Sequence, residues 1–127
     1  MPSTSTLLYY FSSFIHLAIL PKHVKVGATL IRKTIAKVPH TEPFLLAKAI
    51  IPPTWDYVNG LLVIMSLMNF KWAQNGGPDG GIDDAILSVS ALAGLYVGVQ
   101  YYRARLYIAL VVLWLAPTLS ILARVLS

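Results

Sequence analysis

The chain contains no cysteine, so disulfides, thiolate catalysis, iron–sulfur ligation and cysteine-based zinc sites are all excluded. Charge is scarce as well. Charged residues make up 12% of the 127 positions and only five are acidic, against 57% hydrophobic. A soluble globular domain carries about twice that charge. The formal net charge of +5 does not point to nucleic acid, because the cations flank apolar segments instead of forming a solvated basic patch. Histidine is limited to His16, His23 and His40, and none falls in the apolar stretches at 56–72, 82–102 or 106–123. A histidine pair facing a membrane haem is therefore not expected, and we expect neither a cofactor nor a metal. No apolar stretch carries paired carboxylates of the kind that move protons or cations across a bilayer.

Other signatures are missing too. The glycine-rich segment at 74–81 lacks the Lys-Thr of a phosphate-binding loop, and Asp79, Asp83 and Asp84 around it would repel phosphate. Their spacing is not that of a calcium-binding loop. The opening residues supply no basic group for a cleaved signal peptide, and they are not the arginine-rich amphipathic sequence of a mitochondrial transit peptide. No internal repeat is evident.

What is present is apolar sequence at membrane-spanning length. The expectation is an all-α, multi-pass membrane protein forming a single domain over residues 1–127. Residues 82–102 and 106–123 read as two spans turned back on each other around Arg103 and Arg105. The second arm has no charge until Arg124. In the first, Ser90, Gly94 and Gly98 recur every fourth position, which lines small residues along one ridge and lets another helix approach closely. Residues 56–72 form the third span. Trp55 and Trp72 are roughly 25 Å apart at helical rise, close to the hydrocarbon thickness, and suit its two interfaces.

Upstream, residues 5–20 read as a short membrane helix ended by Pro21. A separate basic amphipathic helix is expected at about 24–38. Val24, Gly27, Ala28, Ile31, Ile35 and Val38 share one face, with Lys25, Arg32, Lys33 and Lys37 largely on the other. Such a helix suits an anionic bilayer surface. Residues 44–51 read as a short apolar piece stopped by Pro52 and Pro53, after which Thr54 caps the next span. Lys22, Lys25, Arg32, Lys33, Lys37 and Lys48 then fall on the same side as Arg103 and Arg105. By the positive-inside rule this places four crossings with both termini on the opposite, acidic side.

Helix number and length are similar to those of small four-helix membrane families such as the DoxX-like proteins, and no motif extends that likeness. The expected function is a non-catalytic accessory subunit of a larger membrane assembly, of the respiratory-chain or ATP-synthase kind. Its partners would be other integral membrane subunits and anionic phospholipid such as cardiolipin, the lipid meeting Arg32, Lys33, Arg103 and Arg105. The mitochondrial inner membrane is the expected location, with the endoplasmic reticulum as alternative. A second reading is a small four-helix membrane enzyme, an isomerase or cyclase acting on a lipid-soluble substrate. Its acid–base cluster would be Asp56, Asn59 and His16. An assembly factor for other membrane proteins is a third.

Overall fold

In a computed structural model that describes all residues 1–127, helix accounts for 85% of the chain and there is no strand. Four helices make up the molecule. Helix α1 runs Thr4–Ala36, α2 Phe44–Asn75, α3 Gly81–Arg103 and α4 Tyr107–Leu126. Of these, α1, α3 and α4 are long and apolar enough to cross a membrane.

Two expectations about boundaries are corrected. Pro21 does not end the first helix, and no separate amphipathic helix begins at residue 24, because α1 is continuous from Thr4 to Ala36. A proline deprives only one carbonyl, four residues back, of its intrahelical donor, and packing against a neighbour outweighs that loss. Here α2 lies antiparallel along α1 and holds it through the break. At Gly27–Ile31 the helix widens into a π-turn where the Trp55 indole presses on it. A Cβ on Gly27 would stand 2.5 Å from Trp55 Cδ1, so only glycine leaves room for that ring. Likewise Pro52 and Pro53 do not stop residues 44–51, since both lie inside α2. The carbonyls they leave free, on Lys48 and Ala49, are near an exposed end of the helix.

The identity of the three long apolar helices also differs from expectation. The N-terminal helix is one of them, and the segment at 56–72 is not. It lies within α2, where Asp56, Asn59, Asn69 and Lys71 dilute the apolar content.

The helices stand in a row. Helix α1 packs between α2 and α4, and α4 packs between α1 and α3. Tyr9, Trp72, Ala73, Leu87 and Ala123 cluster at one end, which brings together the start of α1, the end of α2, the start of α3 and the end of α4. The opposite end holds the turn at 103–106 and the 37–43 loop. The buried residues include as many polar as apolar side chains, while leucine, isoleucine, valine and phenylalanine dominate the exterior. That pattern is the reverse of a soluble core and suits lipid around the outside.

The α3–α4 contact depends on the small-residue ridge. Gly94 and Gly98 are buried against the π-helical stretch Val111–Leu115 of α4. A Cβ on Gly94 would strike the Leu113 carbonyl oxygen, and one on Gly98 would strike the Trp114 indole. Ser90, a turn earlier, bonds its own helix at the Leu87 carbonyl, 2.8 Å away. Gly94 faces backbone, which cannot swing aside. Gly94→Ile should therefore separate α3 from α4 and cost about 1–3 kcal/mol or more. The readout is a lower melting temperature by circular dichroism in detergent; an unchanged melt would contradict the contact.

Candidate functional site

A seam of polar side chains runs along α1, and each layer of it meets a different neighbour. Ser12 and Ser13 are adjacent, so they point to different sides of the helix. Ser12 Oγ donates to the Ala116 carbonyl at 2.9 Å and lies 2.9 Å from Ser120 Oγ, which joins α1 to α4. Ser120 donates to Asn69 Oδ1 at 2.6 Å, and Asn69 in turn donates its amide to the Met65 carbonyl at 2.9 Å, which brings in α2. Ser13 faces α2 directly. Ser13 and Ser66 each reach the other's backbone carbonyl, at 2.8 and 3.0 Å. All five of these side chains are buried.

His16 is buried one turn above Ser12, and its Nδ1 donates to the Ser12 carbonyl at 2.8 Å. The carbonyl can only accept, so this bond places the proton on Nδ1. Further along α1, His23 stacks on Trp55 with ring centroids 4.1 Å apart and planes 5° from parallel. Its Nδ1 is 2.7 Å from Asn59 Oδ1, and Trp55 Nε1 donates to the His23 carbonyl at 3.0 Å. Beyond this, Arg32 pairs with Asp56 and Lys48 donates to the Val38 carbonyl at 2.8 Å.

A second cluster closes the end where the termini lie. The buried Asp83 carboxylate accepts from Lys71 at 2.8 Å, from Trp72 Nε1 at 2.8 Å and from the Asp79 backbone N–H at 3.2 Å. It thereby ties the start of α3 to the end of α2 and fastens the glycine-rich loop between them. Arg124 pairs with Asp84 at 2.9 Å and joins the end of α4 to the same place.

The residues considered for acid–base chemistry each have a partner of their own. Asp56 is with Arg32, Asn59 with His23, and His16 with a backbone carbonyl. No hydrogen bond joins His16 to Asp56, to Asn59 or to a serine hydroxyl, so no nucleophile–base pair at the 2.6–3.2 Å that activation needs is formed. No three His, Asp or Glu side chains converge closely enough to hold a metal ion. The four cations considered for lipid do not share one level. Arg103 and Arg105 sit at the α3–α4 turn, both exposed, and Arg105 takes the left-handed conformation that reverses the chain there, with φ 59°. Arg32 and Lys33 stand further out on α1. Compared with protein-family models, with curated protein sequences and with solved structures, the chain matches none.

Sequence reasoning passed over the serines, although it had a signal for them. Ser12, Ser13, Ser66 and Ser120 interrupt otherwise apolar stretches, and a hydroxyl there is better turned toward another helix than toward hydrocarbon. In the sequence Asp83 is only one of three acids beside the glycine-rich segment, with nothing local to show that it is buried. The arrangement as a whole holds helices together. Asp83→Asn should lower stability by about 1–3 kcal/mol, because Lys71 loses its counter-charge and the site gains an unmatched amide. Asp84→Asn, at a half-exposed pair, should change it by less than about 1 kcal/mol. Chemical denaturation of the two variants in detergent tests this, and equal effects would contradict it.

Proposed function

We propose that this chain is a non-catalytic accessory subunit of a larger membrane protein assembly, with all four helices crossing the bilayer and the α1–α2 hairpin docking onto a partner outside it. One observation supports the reading above others: α1 and α2 outrun the rest of the molecule, and the excess carries exposed apolar side chains.

The overrun follows from the hydrogen-bonded levels. Ser12 is level with Ala116 and Ser120. A rise of roughly 16 Å carries α1 from Ser12 to His23, and about the same rise carries α4 from that level back to its start at Tyr107. The α3–α4 turn therefore lies level with His23 and Trp55. Beyond this level α1 continues to Ala36 and α2 comes back from Phe44, an overhang of roughly 18 Å. Helix α2 crosses with α1 because the two are paired along their length. Its flank in the lower part, with Ile64, Leu67 and Phe70 exposed, is suited to lipid.

Leu30, Phe44 and Leu46 are exposed on the overhang, Leu46 by 68%. They stand roughly 10 to 16 Å past the His23 level. The headgroup layer on one side is only about 5–8 Å thick, so lipid does not cover them. Exposed large apolar side chains at this height, on an overhang that also carries Lys25, Lys33 and Lys37, support docking to a protein with an acidic or mixed counterpart. The enzyme reading has less behind it, because Asp56, Asn59 and His16 are held apart by separate partners.

The test is the native mass of the gently solubilised, tagged chain from its own membrane, with mass spectrometry of what travels with it. Wild type should migrate in a large complex of defined composition. The double substitution Leu30→Gln, Leu46→Gln should release it as a monomer with an unchanged melting temperature, since both side chains are exposed. Wild type running alone, or only with copies of itself, would overturn the proposal.

A further inference from the structure

The outer flank of α3 carries an open, largely exposed stripe of six side chains, Leu92, Leu95, Tyr96, Val99, Gln100 and Arg103, with no other helix packed over it. Their spacing of three and four makes a single stripe. The stripe has a direction. Its lower part is apolar, and its upper end presents an amide and a guanidinium at the α3–α4 turn. Arg103 is exposed and has no acidic partner, the ion pairs of the chain being Arg32–Asp56, Lys71–Asp83 and Arg124–Asp84.

We propose that this stripe holds one anionic phospholipid, with its phosphate on Arg103 and Gln100 and one acyl chain along Leu92, Leu95, Tyr96 and Val99. The proposal rests on the membrane placement given above and adds a site separate from the docking overhang. Length and charge decide the occupant. From Leu92 to Arg103 is roughly 16 Å at helical rise, which matches the depth of one leaflet, half of a hydrocarbon core of about 30 Å. At the stripe's upper end a guanidinium offers the forked pair of donors that suits a phosphate.

The absence of cysteine allows a single reporter. Ser88→Cys places a fluorophore on an exposed position one turn below the stripe. The full chain is reconstituted in vesicles of equal parts phosphatidylglycerol and phosphatidylcholine, with one lipid or the other brominated on its acyl chains. Brominated phosphatidylglycerol should be preferred as quencher by about fivefold, the effect of one cation near the surface. Arg103→Gln should abolish the preference, and Lys37→Gln on the overhang should leave it intact. Equal quenching by both lipids in the wild type, or a preference that survives Arg103→Gln, would overturn the lipid site while leaving the subunit reading standing. Quenching by neither would show the flank covered by protein or outside the bilayer, and would overturn the membrane placement with it.

Discussion

A hydroxyl or amide inside hydrocarbon has no water to bond, so it must find its partner within the protein or lose several kcal/mol. In the proposed membrane placement, that constraint organises this molecule around α1. Ser12 looks to α4 and Ser13 to α2, and the two serines together set the register of both neighbours. Asn69 and Ser120 then link α2 to α4 across the face of α1. No single bond is strong, since interhelical hydrogen bonds in membranes average about 0.6 kcal/mol. Their value lies in register. A one-residue slip of α2 would leave both the Ser13–Ser66 exchange and the Asn69–Ser120 bond unmade at once.

The two junctions outside the seam use different physics. At the end with the termini, Asp83 collects donors from a lysine, an indole and a backbone amide, and so converts a flexible glycine-rich loop into a fixed link between α2 and α3. Between α3 and α4 the polar contact is the Arg124–Asp84 pair at the end with the termini, and none lies further along. Closeness replaces it: the absence of side chains at Gly94 and Gly98 brings helix backbone and the Trp114 ring into contact distance. The π-turns at Gly27–Ile31 and Val111–Leu115 both occur where an indole or a glycine ridge crowds the helix. Packing has bent the local hydrogen-bond pattern in both places.

How far the fold was legible follows from which interactions are local. Apolar periodicity, the break at 103–105 and the ridge of Ser90, Gly94 and Gly98 can be read from neighbours in the chain, and the helical class with a hairpin at 82–123 came from them. Continuity through Pro21 and through Pro52–Pro53 is not local. It depends on α1 and α2 lying against each other, with the His23–Trp55 stack and the Arg32–Asp56 pair bridging residues more than twenty positions apart. Proline's local preference was therefore a poor guide here. The same holds for the buried serines, whose significance appears only once the facing helix supplies a carbonyl or a second hydroxyl. The overhang was hidden for a related reason. Read as separate pieces, residues 24–38 suggest a helix lying flat on the bilayer and residues 44–51 a short apolar piece, whereas pairing makes them the end of one long hairpin.

That change of geometry alters what the cations do. On a flat interfacial helix, Arg32, Lys33 and Lys37 would all face lipid phosphates. In the proposed membrane placement the hairpin carries them beyond the headgroups, and Arg32 is already matched by Asp56. The same placement leaves Arg103 and Arg105 at the level of the phosphates. The basic residues thus divide by height into a set near the surface, suited to lipid, and a set above it, suited to a protein. A positive-inside count treats the two sets alike because it records only the side of the membrane. Distance along the helix axis separates them, and it assigns the exposed Leu30, Phe44 and Leu46 to the upper set, where only another macromolecule can shield them from water.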